Sequence, residues 1–105
     1  MDHIFTIPPP GPFDFEPSSW PAWIKRFERF RLASGLKEKD KAYQVNSLIY
    51  TMGDKADDIL SSLQLAEDKQ NDYDEVKNAF DGHFVRVDNV IFERAKFNKQ
   101  SQEVE

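Results

Sequence analysis

The sequence predicts an all-α fold of five helices preceded by an extended arm, and three observations carry that expectation. From Ser18 onward apolar residues recur three and four positions apart, the spacing of a helix with one buried face. Glycine stands where those runs stop, at Gly35 and Gly53. Residues 1–17 are of another character, proline-rich and alternating between aromatic and acidic side chains.

The arm is read as residues 1–17. Ile4-Phe5-Thr6-Ile7 is β-prone, and Pro8-Pro9-Pro10-Gly11-Pro12 enforces polyproline or turn geometry because proline fixes φ and lacks an N–H. Phe13-Asp14-Phe15-Glu16-Pro17 has the period of an extended segment. Aromatic side chains there gain stability only by docking, in cis or on a neighbour.

The first helix opens with Ser18 or Ser19 as cap and Pro21 in its first turn. Trp20, Trp23, Ile24, Phe27 and Phe30 form its core stripe, Lys25, Arg26, Glu28, Arg29 and Arg31 its polar side, and Gly35 its stop. The second helix is expected over 38–52, with Ala42, Val45, Leu48, Ile49 and Met52 inward and Tyr43 flanking. Asp54 should cap a third, carrying Ala56, Ile59, Leu60 and Leu63. Residues 64–71 are a polar connector that Leu65 can anchor.

Asn71 or Asp72 caps a fourth helix with Tyr73, Val76, Phe80 and Phe84 on one face, weakened at its end by Gly82. Val85-Arg86-Val87 reads as an extended link, and Asp88 as the cap of a fifth helix with Val90, Ile91, Phe92, Ala95 and Phe97. The helical domain is therefore placed at 18–99, compact and orthogonal or bundle-like, with a polar tail over 100–105.

Composition narrows the function classes. With 39% hydrophobic and 13% aromatic residues, 105 residues suffice for one core. A net charge of −5 argues against nucleic acid as the main partner through this domain, because phosphate neutralisation runs on Lys and Arg. Cysteine is absent, which removes disulfides and zinc knuckles. No apolar run approaches the roughly 20 residues that span a bilayer, and no secretory signal is recognisable, so a cytoplasmic home is the expectation.

The residues that could carry chemistry are absent or suit structural roles, so neither an enzyme nor a cofactor is expected. Of two histidines, His3 lies in the arm and His83 at the expected end of the fourth helix, where it complements the dipole. Asp54, Asp57 and Asp58 suit a helix N-terminus, and the acidic run from Asp68 lacks the Gly and Glu of an EF-hand loop. None of the four glycines belongs to a phosphate-binding loop. Pro9-Pro10-Gly11-Pro12 satisfies the PxxP pattern without the basic flank that SH3 ligands usually add.

Taken in order, Phe15-Glu16-Pro17, Trp20, Trp23, Phe27, Phe30, Gly35-Leu36, Leu48-Ile49 and Met52-Gly53 form a distinctive series. Ala56, Ile59-Leu60, Tyr73-Asp74-Glu75-Val76, Phe80, His83-Phe84, Asn89, Glu93-Arg94 and Phe97 continue it. Over about residues 13–105 the series resembles the N-terminal lobe of the Gag capsid of Ty3/gypsy-type retrotransposons and domesticated relatives such as Arc. Order and spacing carry the likeness, not any single motif.

The resemblance implies a two-lobed capsid protein that self-associates into a virus-like particle, with the linker to a second lobe beginning at 100–105. It implies homo-oligomers in the complete protein and an isolated lobe that stays monomeric when dilute. Lys25, Arg26, Arg29 and Phe92 are the candidate assembly surface. An Arc-like alternative is a peptide-binding adaptor that captures hydrophobic linear motifs. Its candidate arm and groove residues are Phe13, Phe15, Trp20, Trp23, Phe27 and Tyr43.

Overall fold

A computed structural model describes residues 7–87 of the chain. They are all-helical in their regular structure, with four α-helices and no strand among the described residues. The fifth helix expected from Asp88 to Phe97 lies outside them.

Helix α1 spans Trp20–Ala33 and grows directly out of a 3-10 turn, Pro17–Ser19. Pro21 sits in its first turn, where a backbone N–H would have no partner inside the helix. Ser19 takes the cap position but does not cap. It is already helical (φ −85°, ψ −14°), because the 3-10 turn runs on into the helix. Its hydroxyl instead donates to Asp14 Oδ2 at 3.3 Å. Gly35, at φ +85°, ends α1 in the left-handed conformation that glycine adopts without penalty. Leu36 then turns back into the core.

The second helix begins later than its apolar spacing predicts. Leu36–Glu38 forms a separate 3-10 turn, Lys39 is extended, and α2 spans Lys41–Met52 behind Asp40. The buried Gln44 side chain holds this break open, its amide donating to the carbonyls of Lys37 (3.2 Å) and Lys39 (2.8 Å).

Between α2 and α3 the chain turns on one residue, Gly53, at φ +120°. Helix α3, Asp54–Leu63, starts immediately, so the cap position belongs to Gly53 and the expected cap, Asp54, is the first helical residue. Asp54 and Asp57 lie in that first turn, where they complement the helix dipole. Gln64 stops α3 with a positive φ of 53°. Leu65 packs against the core from the connector.

Helix α4 is helical from 73 through 87, the last described residue. Of the two candidate caps, Asp72 serves. Its carboxylate accepts the N–H of Glu75 at 3.3 Å, the N-cap to N3 bond. Val85-Arg86-Val87 is helical, not extended as its sequence suggests. Gly82 costs about 1 kcal/mol in a helix interior, but Phe80 and Phe84 are both buried on either side of it and hold the helix down.

All four helices contribute to one core. Trp20, Ile24 and Phe27 come from α1, Val45, Leu48, Ile49 and Met52 from α2, Ala56 from α3, and Tyr73, Val76, Phe80 and Phe84 from α4. Phe13, from the segment before α1, is buried among them.

Phe27→Ala should lower unfolding free energy in urea by about 3–5 kcal/mol, since its ring is fully buried. Tyr50→Ala, at a residue 90% exposed, should shift it by no more than about 0.5 kcal/mol.

Candidate functional site

The segment before α1 is seated by a small set of specific bonds. The Phe13 N–H donates to the carbonyl of Met52 at 3.1 Å, and the Trp23 indole N–H donates to the Gly11 carbonyl at 2.8 Å. Asp14 fastens the corner, accepting the Glu16 N–H at 2.9 Å and the Ser19 hydroxyl. Phe15 adopts φ +63°, a left-handed conformation that is strained for a bulky side chain. Its ring lies where Gly53 leaves room, 3.6 Å from the position a Cβ on that glycine would take.

Five of the six aromatic candidates meet here. The Phe13 ring contacts Phe15 (5.0 Å), Trp20 (5.4 Å) and Trp23 (5.7 Å) between centroids, and also Phe84 of α4 (5.2 Å). Trp23 stacks between Trp20 (5.9 Å) and Phe27 (5.7 Å). The sixth, Tyr43, makes none of these contacts. The inward positions of α2 are Gln44, Val45, Leu48, Ile49 and Met52, so Tyr43 falls on the solvent side with the Lys39 ammonium 5.8 Å from its ring.

Because Phe13 packs against Trp20 and Trp23, the aromatic cluster is closed by the chain itself. An open groove lies on its outer flank. It encloses about 650 Å³ between a wall of Ile7, Pro8, Pro9, Pro10, Gly11 and Pro12 and the α1 face of Trp23, Arg26, Arg29, Phe30 and Ala33. That volume falls within the range of ligand sites. Two of the basic candidates, Arg26 and Arg29, therefore line the groove. The third, Lys25, is exposed on α1, and Phe92 lies outside the described residues.

Arg31 departs from the solvent-facing role its polar helix face suggests. Its guanidinium lies 4.0 Å from the centre of the Tyr73 ring, donates from Nε to Gln44 Oε1 at 2.7 Å, and pairs with Glu28 at 3.2 Å. The Tyr73 hydroxyl donates to the other Glu28 oxygen. Burial, and then this bond to a carboxylate, push the Tyr73 hydroxyl well above its ordinary pKa. Glu28, Arg31, Gln44 and Tyr73 thus form one satisfied network joining α1, α2 and α4. Periodicity could not reveal it, because a polar residue at a core position reads only as a break in the stripe.

A second polar tie lies at the other end of α1. The Trp20 indole N–H donates to Asp81 Oδ1 at 2.7 Å, and Lys77 pairs with the second oxygen at 3.1 Å. His83, expected at a helix end, lies within α4 with its ring 4.9 Å from Phe84, and burial followed by the charge of Arg86 lowers its pKa. Among the described residues no group of three metal-ligating side chains converges, and no helix is long and apolar enough to cross a membrane.

Comparisons of the chain with protein-family models, with curated proteins and with solved structures find no significant match.

The network predicts an alkaline limit to stability. Tyr73 keeps its proton more tightly folded than unfolded, so its contribution is complete below the unfolded value near 10 and is lost as pH rises above it. Stability followed by chemical denaturation should therefore fall above about pH 10, and Tyr73→Phe should flatten that part of the slope. At neutral pH the same substitution should cost about 1–3 kcal/mol, because Glu28 loses a partner.

Proposed function

We propose that this chain is a structural lobe of a Gag-type capsid, acting in the cytoplasm through repeated protein–protein contacts and not by catalysis. The ordered series of aromatic and apolar positions resembling that family supports the reading, as does the all-α fold.

The observation that carries it furthest is the separation of charge on the surface. Lys25, Arg26 and Arg29 are exposed on α1, while Asp54, Asp57 and Asp58 are exposed on α3. A surface with opposite patches at different places suits head-to-tail contacts, which close into rings or extend into lattices. Such contacts are individually weak, so the lobe alone is monomeric when dilute and depends on the complete polypeptide for assembly.

Electron microscopy of the complete polypeptide that carries this chain is the test. Particles or regular sheets are expected, and their loss on the triple reversal Lys25→Glu, Arg26→Glu, Arg29→Glu. A polypeptide that stays small and soluble across concentration and salt would overturn the reading.

The second reading is an adaptor that captures linear peptides. The groove between the proline wall and α1 favours it, with Trp23 already fixed in place by its bond to Gly11. The inner aromatic pocket offers less, because a hydrophobic motif entering it must first displace Phe13. Deleting residues 1–17 and titrating hydrophobic peptides separates the two places: binding that appears only after deletion locates capture at the inner pocket.

A further inference from the structure

We infer that the outer groove is a docking site for an acidic linear peptide carrying apolar side chains, a partner chemistry that deepens the adaptor reading and rests on it. Each wall restricts what can bind. Pro8, Pro9, Pro10 and Pro12 have no N–H, so the prolines of this wall offer no backbone donor and cannot pair with an added β-strand as a sheet edge does. An occupant must bring its own N–H donors, as a peptide backbone can.

The opposite wall contributes charge and apolar surface together. Arg26 and Arg29 are three residues apart on α1, which places them on adjacent turns of one face. Guanidinium groups bind carboxylates through paired donors, so two of them at this spacing suit two acidic side chains of an extended segment. Trp23 and Phe30, both half-buried, supply the surface for an apolar side chain between those acids.

The groove is preformed. Trp23 is locked by stacking on both sides and by its indole bond to Gly11, so little side-chain entropy remains to be lost on binding. A polyanion such as RNA could also use arginine beside aromatics. A peptide differs from it in bringing backbone N–H donors, which a phosphate backbone lacks and which the prolines of this wall can only accept.

The test is an NMR titration of the isotope-labelled full chain with oligouridylate and with three capped octapeptides that alternate leucine with glutamate, glutamine or lysine. The glutamate peptide should shift the Trp23 indole N–H and the backbone of α1, and should weaken as salt rises. The double variant Arg26→Glu, Arg29→Glu should bind it about tenfold less tightly and gain affinity for the lysine peptide. Ala33→Trp, which keeps the charge and fills the groove, should abolish binding of all three. Circular dichroism monitors that both variants remain helical.

Four results overturn the inference. Equal binding of the glutamine peptide, unaffected by the arginine reversals, removes the acidic specificity and leaves an adaptor without charge selection. Absence of binding by every peptide removes the adaptor reading as well. Tighter binding of oligouridylate on the same face assigns the groove to RNA. Concentration-dependent shifts without peptide, abolished by the reversals, assign it to a second copy of the chain.

Discussion

The indole of Trp20 is the point at which the separate parts of this chain are joined. Its ring meets Phe13 from the N-terminal segment, Trp23 from its own helix, and Phe80 and Phe84 from α4. Its N–H reaches Asp81, which Lys77 holds in turn. A buried indole must satisfy its one donor, and here the bond that does so ties α1 to α4. The seat for Phe13 exists because these rings are already in place.

Aromatic packing alone tolerates sliding, since flat rings can stack in several registers. The Glu28–Arg31–Gln44–Tyr73 network removes that freedom at the opposite end of α1. Each member is bonded to another, and Gln44 also closes the turn before α2 through two backbone carbonyls. Charged groups that are half-buried contribute little if loosely paired, yet a fully satisfied set is costly to misalign. Helix α1 is thus positioned at one end by an apolar cluster with a single polar tie, and at the other by a polar cluster under one aromatic ring.

With the aromatic cluster closed by Phe13, recognition passes to the outside of α1. The same helix that buries Trp20 and Phe27 exposes Arg26 and Arg29 toward a wall of prolines. The strained φ of Phe15 and the single glycine corner at Gly53 belong to the inner side of that arrangement, where they let the segment turn into α1. The groove is therefore a consequence of how the segment is seated, and its stability depends on the inner contacts even though its chemistry does not.

Much of this was legible in the sequence. The α1 stripe, the inward face of α2, the stops at Gly35 and Gly53, the acidic start of α3 and a cap at Asn71 or Asp72 follow from spacing and from residues with narrow conformational range. Local pattern alone thus specifies helices punctuated by glycine, with the aromatic stripe of α1 turned toward the core. The rest depends on contacts between helices. Gly82 does not end α4, because the burial of Phe80 and Phe84 outweighs a local propensity. Tyr43 is exposed and Gln44 buried, because a one-residue difference is 100° around a helix and the break at Lys39 sets the phase. Arg31 left the solvent face once Tyr73 and Gln44 arrived from other helices. These outcomes depend on partners far away in sequence, whose positions no local pattern encodes.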